Sequence, residues 1–174
     1  MAAIWAAALG DTVDSKRLIA AVRARPPERR QGLDSALALA QEWVAASGGR
    51  WPEVRRRLGP LGAQGIFAGF PINPLVRWLV AQADERMGQL DSAVATYERI
   101  AAGWNCSESE VLSRGLTEPF AHQRLVVLYS QMGRLDDARR HWKIFSETFT
   151  QPDPEVVHLV DEARAALEAA ERKG

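Results

Sequence analysis

Met87-Gly88-Gln89-Leu90-Asp91-Ser92-Ala93 and Met132-Gly133-Arg134-Leu135-Asp136-Asp137-Ala138 carry the same step: a glycine, a leucine two residues on, and an alanine three residues beyond that. Two weaker relatives lie upstream, Leu9-Gly10-Asp11 and Gly48-Gly49-Arg50-Trp51. Taking Gly10, Gly49, Gly88 and Gly133 as equivalent gives spacings of 39, 39 and 45 residues, the signature of a repeat. The flanks agree. Positions 2, 5, 9 and 12 after the glycine read Trp51, Val54, Leu58, Leu61, then Leu90, Ala93, Tyr97, Ile100, then Leu135, Ala138, Trp142, Phe145. Steps of three and four put each set on one helical face. The first unit, Thr12, Ser15, Ile19 and Val22, is a degraded copy.

A second apolar-periodic run precedes each of the later glycines, at 36–46, 75–87 and 120–132. Each unit therefore reads helix, glycine turn, helix, with the glycine supplying the left-handed residue that ends the first helix. The chain has 28 alanines, 19 arginines against 3 lysines, and little of the β-branched or aromatic alternation a strand needs. The expected class is all-α. Expected helices run near 2–9, 12–25, 34–47, 51–63, 74–87, 90–103, 119–132, 135–149 and 153–172. Prolines 26, 27, 71, 74, 119, 152 and 154 are read as boundaries. The array is read as one domain over 1–174, with hairpins at about 1–25, 34–63, 74–103 and 119–149 and a capping helix at 153–172.

The run from Trp78 through Gly88 and Ala93 to Tyr97 resembles a tetratricopeptide repeat, and so does that from Leu125 through Tyr129, Gly133 and Ala138 to Trp142. In that family a large residue, a small one and an aromatic mark the first helix, and a Gly-x-x-x-x-Ala step opens the second. More distantly, the array is similar to helical repeat regions at the C-terminal ends of large bacterial signalling proteins. The resemblance implies a right-handed α-α superhelix that binds a protein or peptide partner without catalysis, as a scaffold or the regulatory part of a larger protein. It also implies that first helices line the binding face, which makes Trp43, Trp78, Gln82, Phe120 and Gln123 the candidate contacts, with Arg86 at the edge. Some family members clamp a carboxylate with Lys and Asn clusters. Here the matching places hold Trp78 with Gln82 and Gln123 with Val127, so no such clamp is expected.

The two ends differ. Ile4, Trp5 and Leu9 sit among alanines with no charged side chain in the first ten residues, so that segment has no solvent face. An array terminus needs a polar outer face. Ile4, Trp5 and Leu9 are thus expected to meet an upstream hairpin or another copy. The last segment has one, with Val156, Val157, Val160, Ala163 and Leu167 as a stripe among charged residues.

Chemistry is sparse. Lys plus Arg equal Asp plus Glu at 22 each, so no global field drives the chain to nucleic acid or a membrane. The longest apolar stretch, residues 1–10, is half a membrane span and lacks the basic flank of a leader. A lone Cys106 excludes an internal disulfide and fits a reducing, cytoplasmic setting. The glycines between 59 and 69 lack the Gly-Lys-Ser/Thr of a phosphate loop. His158 with Asp161 and Glu162 reads as a helical ion-pair face. No catalytic, cofactor-binding or metal-ligating set is expected. Residues 1–66 carry 10 basic and 6 acidic side chains, which makes a nucleic-acid-binding repeat using this Arg-rich half the alternative function.

Overall fold

In the computed structural model, which describes residues 2–3, 6, 11–30, 33–64, 73–103 and 111–173, the chain forms two units, Met1–Gly88 and Gln89–Gly174. The described residues hold eight α-helices and no strand. In the first unit these are α1 (Thr12–Arg23), α2 (Asp34–Ser47), α3 (Trp51–Gln64) and α4 (Asn73–Arg86), with a 3₁₀ turn at Pro27–Arg29. The second unit holds α5 (Leu90–Ala101), α6 (Val111–Gln131), α7 (Leu135–Thr148) and α8 (Pro154–Glu171). No described helix is long and apolar enough to cross a membrane.

The repeat register is visible atom by atom. Gly49, Gly88 and Gly133 have φ of +73°, +74° and +72°, the left-handed region that only glycine enters cheaply. At the end of α2 the Gly49 amide donates to the Ala46 carbonyl (2.9 Å) and the Arg50 amide to Ala45 (3.0 Å). At the end of α6 the Gly133 amide donates to Ser130 (3.2 Å) and Arg134 to Tyr129 (2.9 Å). This pair of bonds is the Schellman closure, which satisfies carbonyls that a helix end otherwise leaves free. At three of the turns the residue after the glycine enters the next helix in one conformation: φ, ψ of −78°, 76° at Asp11, −86°, 63° at Gln89 and −86°, 68° at Arg134.

Four residues later the chain reaches the closest packing. Ser15, Val54, Ala93 and Ala138, each fifth after its glycine, are all 0% exposed. Each donates its amide to the carbonyl four residues back, at 3.0 to 3.2 Å. The serine of the degraded first unit is accommodated because its hydroxyl donates to the Ala3 carbonyl at 2.8 Å. The ninth positions Ile19, Leu58 and Tyr97 are buried too, whereas in α7 the buried ring at that level is His141 and Trp142 is half-exposed.

Within the first unit α2 packs on α1, α3 and α4, and α3 on α4. Leu39, Val54, Val76 and Leu79 fill its core. Asp84 on α4 is buried and pairs with Arg55 of α3. A Cβ on Gly59 would fall on the Arg55 guanidinium, so this glycine keeps the path to Asp84 open. Within the second unit α6 touches α5, α7 and α8. Its residues 125–129 are buried without a break, as a central helix requires.

One proline reading needs correction. Pro119 does not open α6; the helix begins at Val111 and runs through it. The carbonyl four residues before Pro119 belongs to Gly115, and glycine most readily tolerates the tilt a proline ring imposes there. As the expected helix near 51–63 requires, α3 continues across Pro60 to Gln64, where Gly59 has no Cβ to oppose the ring. Of the expected helix at 2–9 only residues 2, 3 and 6 are described, and they are helical; the interface residues Ile4, Trp5 and Leu9 lie outside the described residues, as does Cys106.

Ala138 sits at zero exposure in the second unit, so Ala138→Leu should overpack it and cost about 1 to 3 kcal/mol. Urea unfolding checks this; an unchanged midpoint would misplace the contact.

Candidate functional site

The first unit carries an open groove of about 650 Å³ between α1, α2 and α3. Its floor is apolar: Ile19 and Ala20 from α1 and Val44 from α2, with Gln41 beside them. Four cations edge it, Lys16 and Arg23 on α1, Arg50 just before α3 and Arg57 within it. Arg57 pairs with Glu42 (3.1 Å) and Glu53 (3.4 Å), and Arg50 lies 3.9 Å from Glu53. Lys16 and Arg23 have no ion-pair partner among the described residues. Two acids against four cations leave the groove cationic. With an apolar floor, it can hold an apolar side chain flanked by anions.

The second unit contains a buried polar chain that local sequence patterns do not reveal. Oε1 of Glu98 (α5) accepts from the Tyr129 hydroxyl (α6) at 2.6 Å, from His141 Nε2 (α7) at 3.0 Å and from Arg140 at 3.3 Å. His141 Nδ1 lies 2.8 Å from His122 Nδ1 (α6). Burial favours the neutral imidazole, and a neutral His141 that donates from Nε2 to the carboxylate has Nδ1 as its acceptor. In that arrangement His122 donates from Nδ1. Burial is the main reason both histidines titrate below their usual 6.5; for His141 it outweighs the opposing pull of Glu98. Burial and the bond to Glu98 push Tyr129 up to about 12. Arg134 covers the Tyr129 ring at 4.4 Å and pairs with Asp137 at 2.6 Å. With these groups spent on one another, the chain ties three helices together. Among the described residues no three His, Cys, Asp or Glu side chains converge on a metal position.

A second cavity, about 470 Å³, lies between the end of α6 and α8, walled by Ala166, Ala169 and Ala170 with Lys173 at its mouth. Ser130 lines it, and its buried hydroxyl has no hydrogen-bond partner in the protein.

None of the candidate contacts read from the sequence lines the cationic groove. Trp43 packs half-buried against the first core, its Nε1 buried without an acceptor. Trp78 and Gln82 are half-buried and Arg86 is exposed, four residues apart along α4. Phe120 is half-buried and stacks on Phe149 at 6.0 Å. Gln123 is 1% exposed and donates to Glu162 of α8 at 2.9 Å, an internal tie. Glu162 also pairs with Arg124 and Asp161 lies 3.7 Å from Arg164, so ion pairs account for these two acids beside exposed His158. Comparison with protein-family models, curated proteins and solved structures returns no match.

The histidine chain sets a pH dependence. Both imidazoles bind protons less readily folded than unfolded, so below about pH 6.5 the unfolded state takes up more protons and stability falls; well above it the two contribute no slope. Urea unfolding at about pH 7.5, 6.5 and 5.5 should show this decline. Stability that is flat or rises on acidification would contradict the neutral pair.

Proposed function

We propose that this chain is a non-enzymatic interaction module, a tetratricopeptide-like solenoid with α8 as its cap, that binds a segment of a partner protein in the α1–α3 groove. The observation that carries the reading is the groove itself, an apolar floor between cationic rims built by consecutive helices of the repeat. The recurrence of one glycine turn and one buried fifth position supports the solenoid arrangement. Partner selection by such arrays uses extended surfaces assembled from successive hairpins. A single-cysteine, Arg-rich chain of this kind suits the cytoplasmic, regulatory part of a larger bacterial signalling protein. The buried polar chain is internally saturated and supports a structural rather than a catalytic use of its histidines.

Protein is favoured over nucleic acid because two carboxylates already sit on the rim and no aromatic lines the groove for bases to stack on. The test is retention of labelled chain on an array of diverse peptides, beside titration with random single-stranded oligonucleotides across salt. Selective peptide retention that is lost in Ala20→Glu, an exposed groove position, is expected. Retention of oligonucleotides alone, with a steep salt slope, would overturn the proposal.

A further inference from the structure

The groove has a repeat of its own. On α1 its wall reads Lys16, Ile19, Ala20, Arg23, which is the i, i+3, i+4, i+7 face of a helix. Its ends are cations and its centre is apolar. The opposite rim carries Arg50 and Arg57, again seven residues apart. Seven residues are two helical turns, about 10 Å; Arg50 and Arg57 are met by Glu53 and Glu42, so the uncompensated pair of positive charges at this pitch is Lys16 and Arg23 on α1.

We infer that the occupant is an amphipathic acidic helix of a partner protein, with carboxylates at i and i+7 and apolar side chains at i+3 and i+4. The inference rests on the reading of the groove as a peptide site and adds the conformation and charge spacing of its ligand. Packing along α1, such a helix lays its apolar pair over Ile19, Ala20 and Val44 and its carboxylates against Lys16 and Arg23. This is the helix-in-groove mode with ionic ends. Charge complementarity points the same way. Residues 1–88 carry 12 basic and 8 acidic side chains, and the α1 rim is the one whose cations are free of acidic partners among the described residues. A nucleic acid would meet only two such cations with no stacking surface between them.

The experiment uses the full chain and labelled alanine-based peptides of about 20 residues, past the length at which isolated helices are marginal. One has Glu at i and i+7 around a Leu pair. A second has Gln in place of both Glu, a third has Lys, and a fourth has the Glu pair moved to i and i+5. Fluorescence anisotropy should show the Glu peptide binding about tenfold or more tighter than the Gln or respaced peptide. Lys16→Glu with Arg23→Glu, both exposed on α1, should abolish that preference and gain affinity for the Lys peptide. Equal binding of Glu, Gln and respaced peptides would overturn the inference while leaving a peptide site in place. Unchanged Glu-peptide affinity in the double variant would do the same. No binding of any peptide at low salt would overturn both readings. Tighter binding of a single-stranded oligonucleotide than of the Glu peptide would overturn the inference in favour of nucleic acid.

Discussion

A glycine held near φ +73° is the constraint on which the hairpins depend. At Gly49 and Gly133 it allows two amides to turn back onto the helix just completed and sends the next residue into the following helix after a single further step. The consequence is geometric. The fifth residue after each glycine arrives at a fixed place, with its amide bonded back and no accessible surface left. Small or β-branched side chains occupy it, Ser15, Val54, Ala93 and Ala138, because a larger group would separate the packed helices. Helix propensity alone would not impose this register; short helices draw their stability from the faces they bury.

The surface features follow from where each face points. In the first unit α1 presents one stripe that is apolar at its centre and cationic at its ends, and α2 and α3 wall it without covering it. In the second unit the interior around α6 carries Tyr129, His122 and His141 where apolar residues would suffice for packing, with the half-buried Glu98 at its edge. Buried polar groups are tolerable only when each finds its partner, and Oε1 of Glu98 accepts from three donors on two helices, α6 and α7, to achieve that. The result is a unit whose packing depends on neutral histidines.

Much of the architecture was legible because it is written locally. The stripes and glycines place α2 at Asp34–Ser47, and they place α3, α7 and α8 within a residue or two of where these helices stand. What escaped depends on contacts between helices. Nothing near Pro119 says that a helix is already running, since the proline rule argues the reverse and only the surrounding packing decides. His122 and His141 lie 19 residues apart and meet because the Gly133 turn folds α7 back on α6. A signal was present in the form of His122, Val126 and Tyr129 on one face of α6, opposite the Ala138 to Phe145 stripe. The carboxylate that joins them comes from α5, which no spacing rule connects. Gln123 reads as a contact because the resemblance puts first helices on the binding face; here it is buried and donates to Glu162 on α8. The groove's charges were visible as Lys16 and the arginines, but which of them lack an acidic neighbour is a property of the packed unit.

The account is tested most directly by replacing Gly49, Gly88 and Gly133 one at a time with alanine and measuring unfolding free energy. A Cβ at any of the three meets nothing within 4 Å, so the change carries no steric clash and reports the backbone conformation alone. A common loss of about 1 to 2 kcal/mol at each site is the expected result. Unequal losses, or none at one of the three, would contradict a shared left-handed turn and with it the repeat register on which the structure is built.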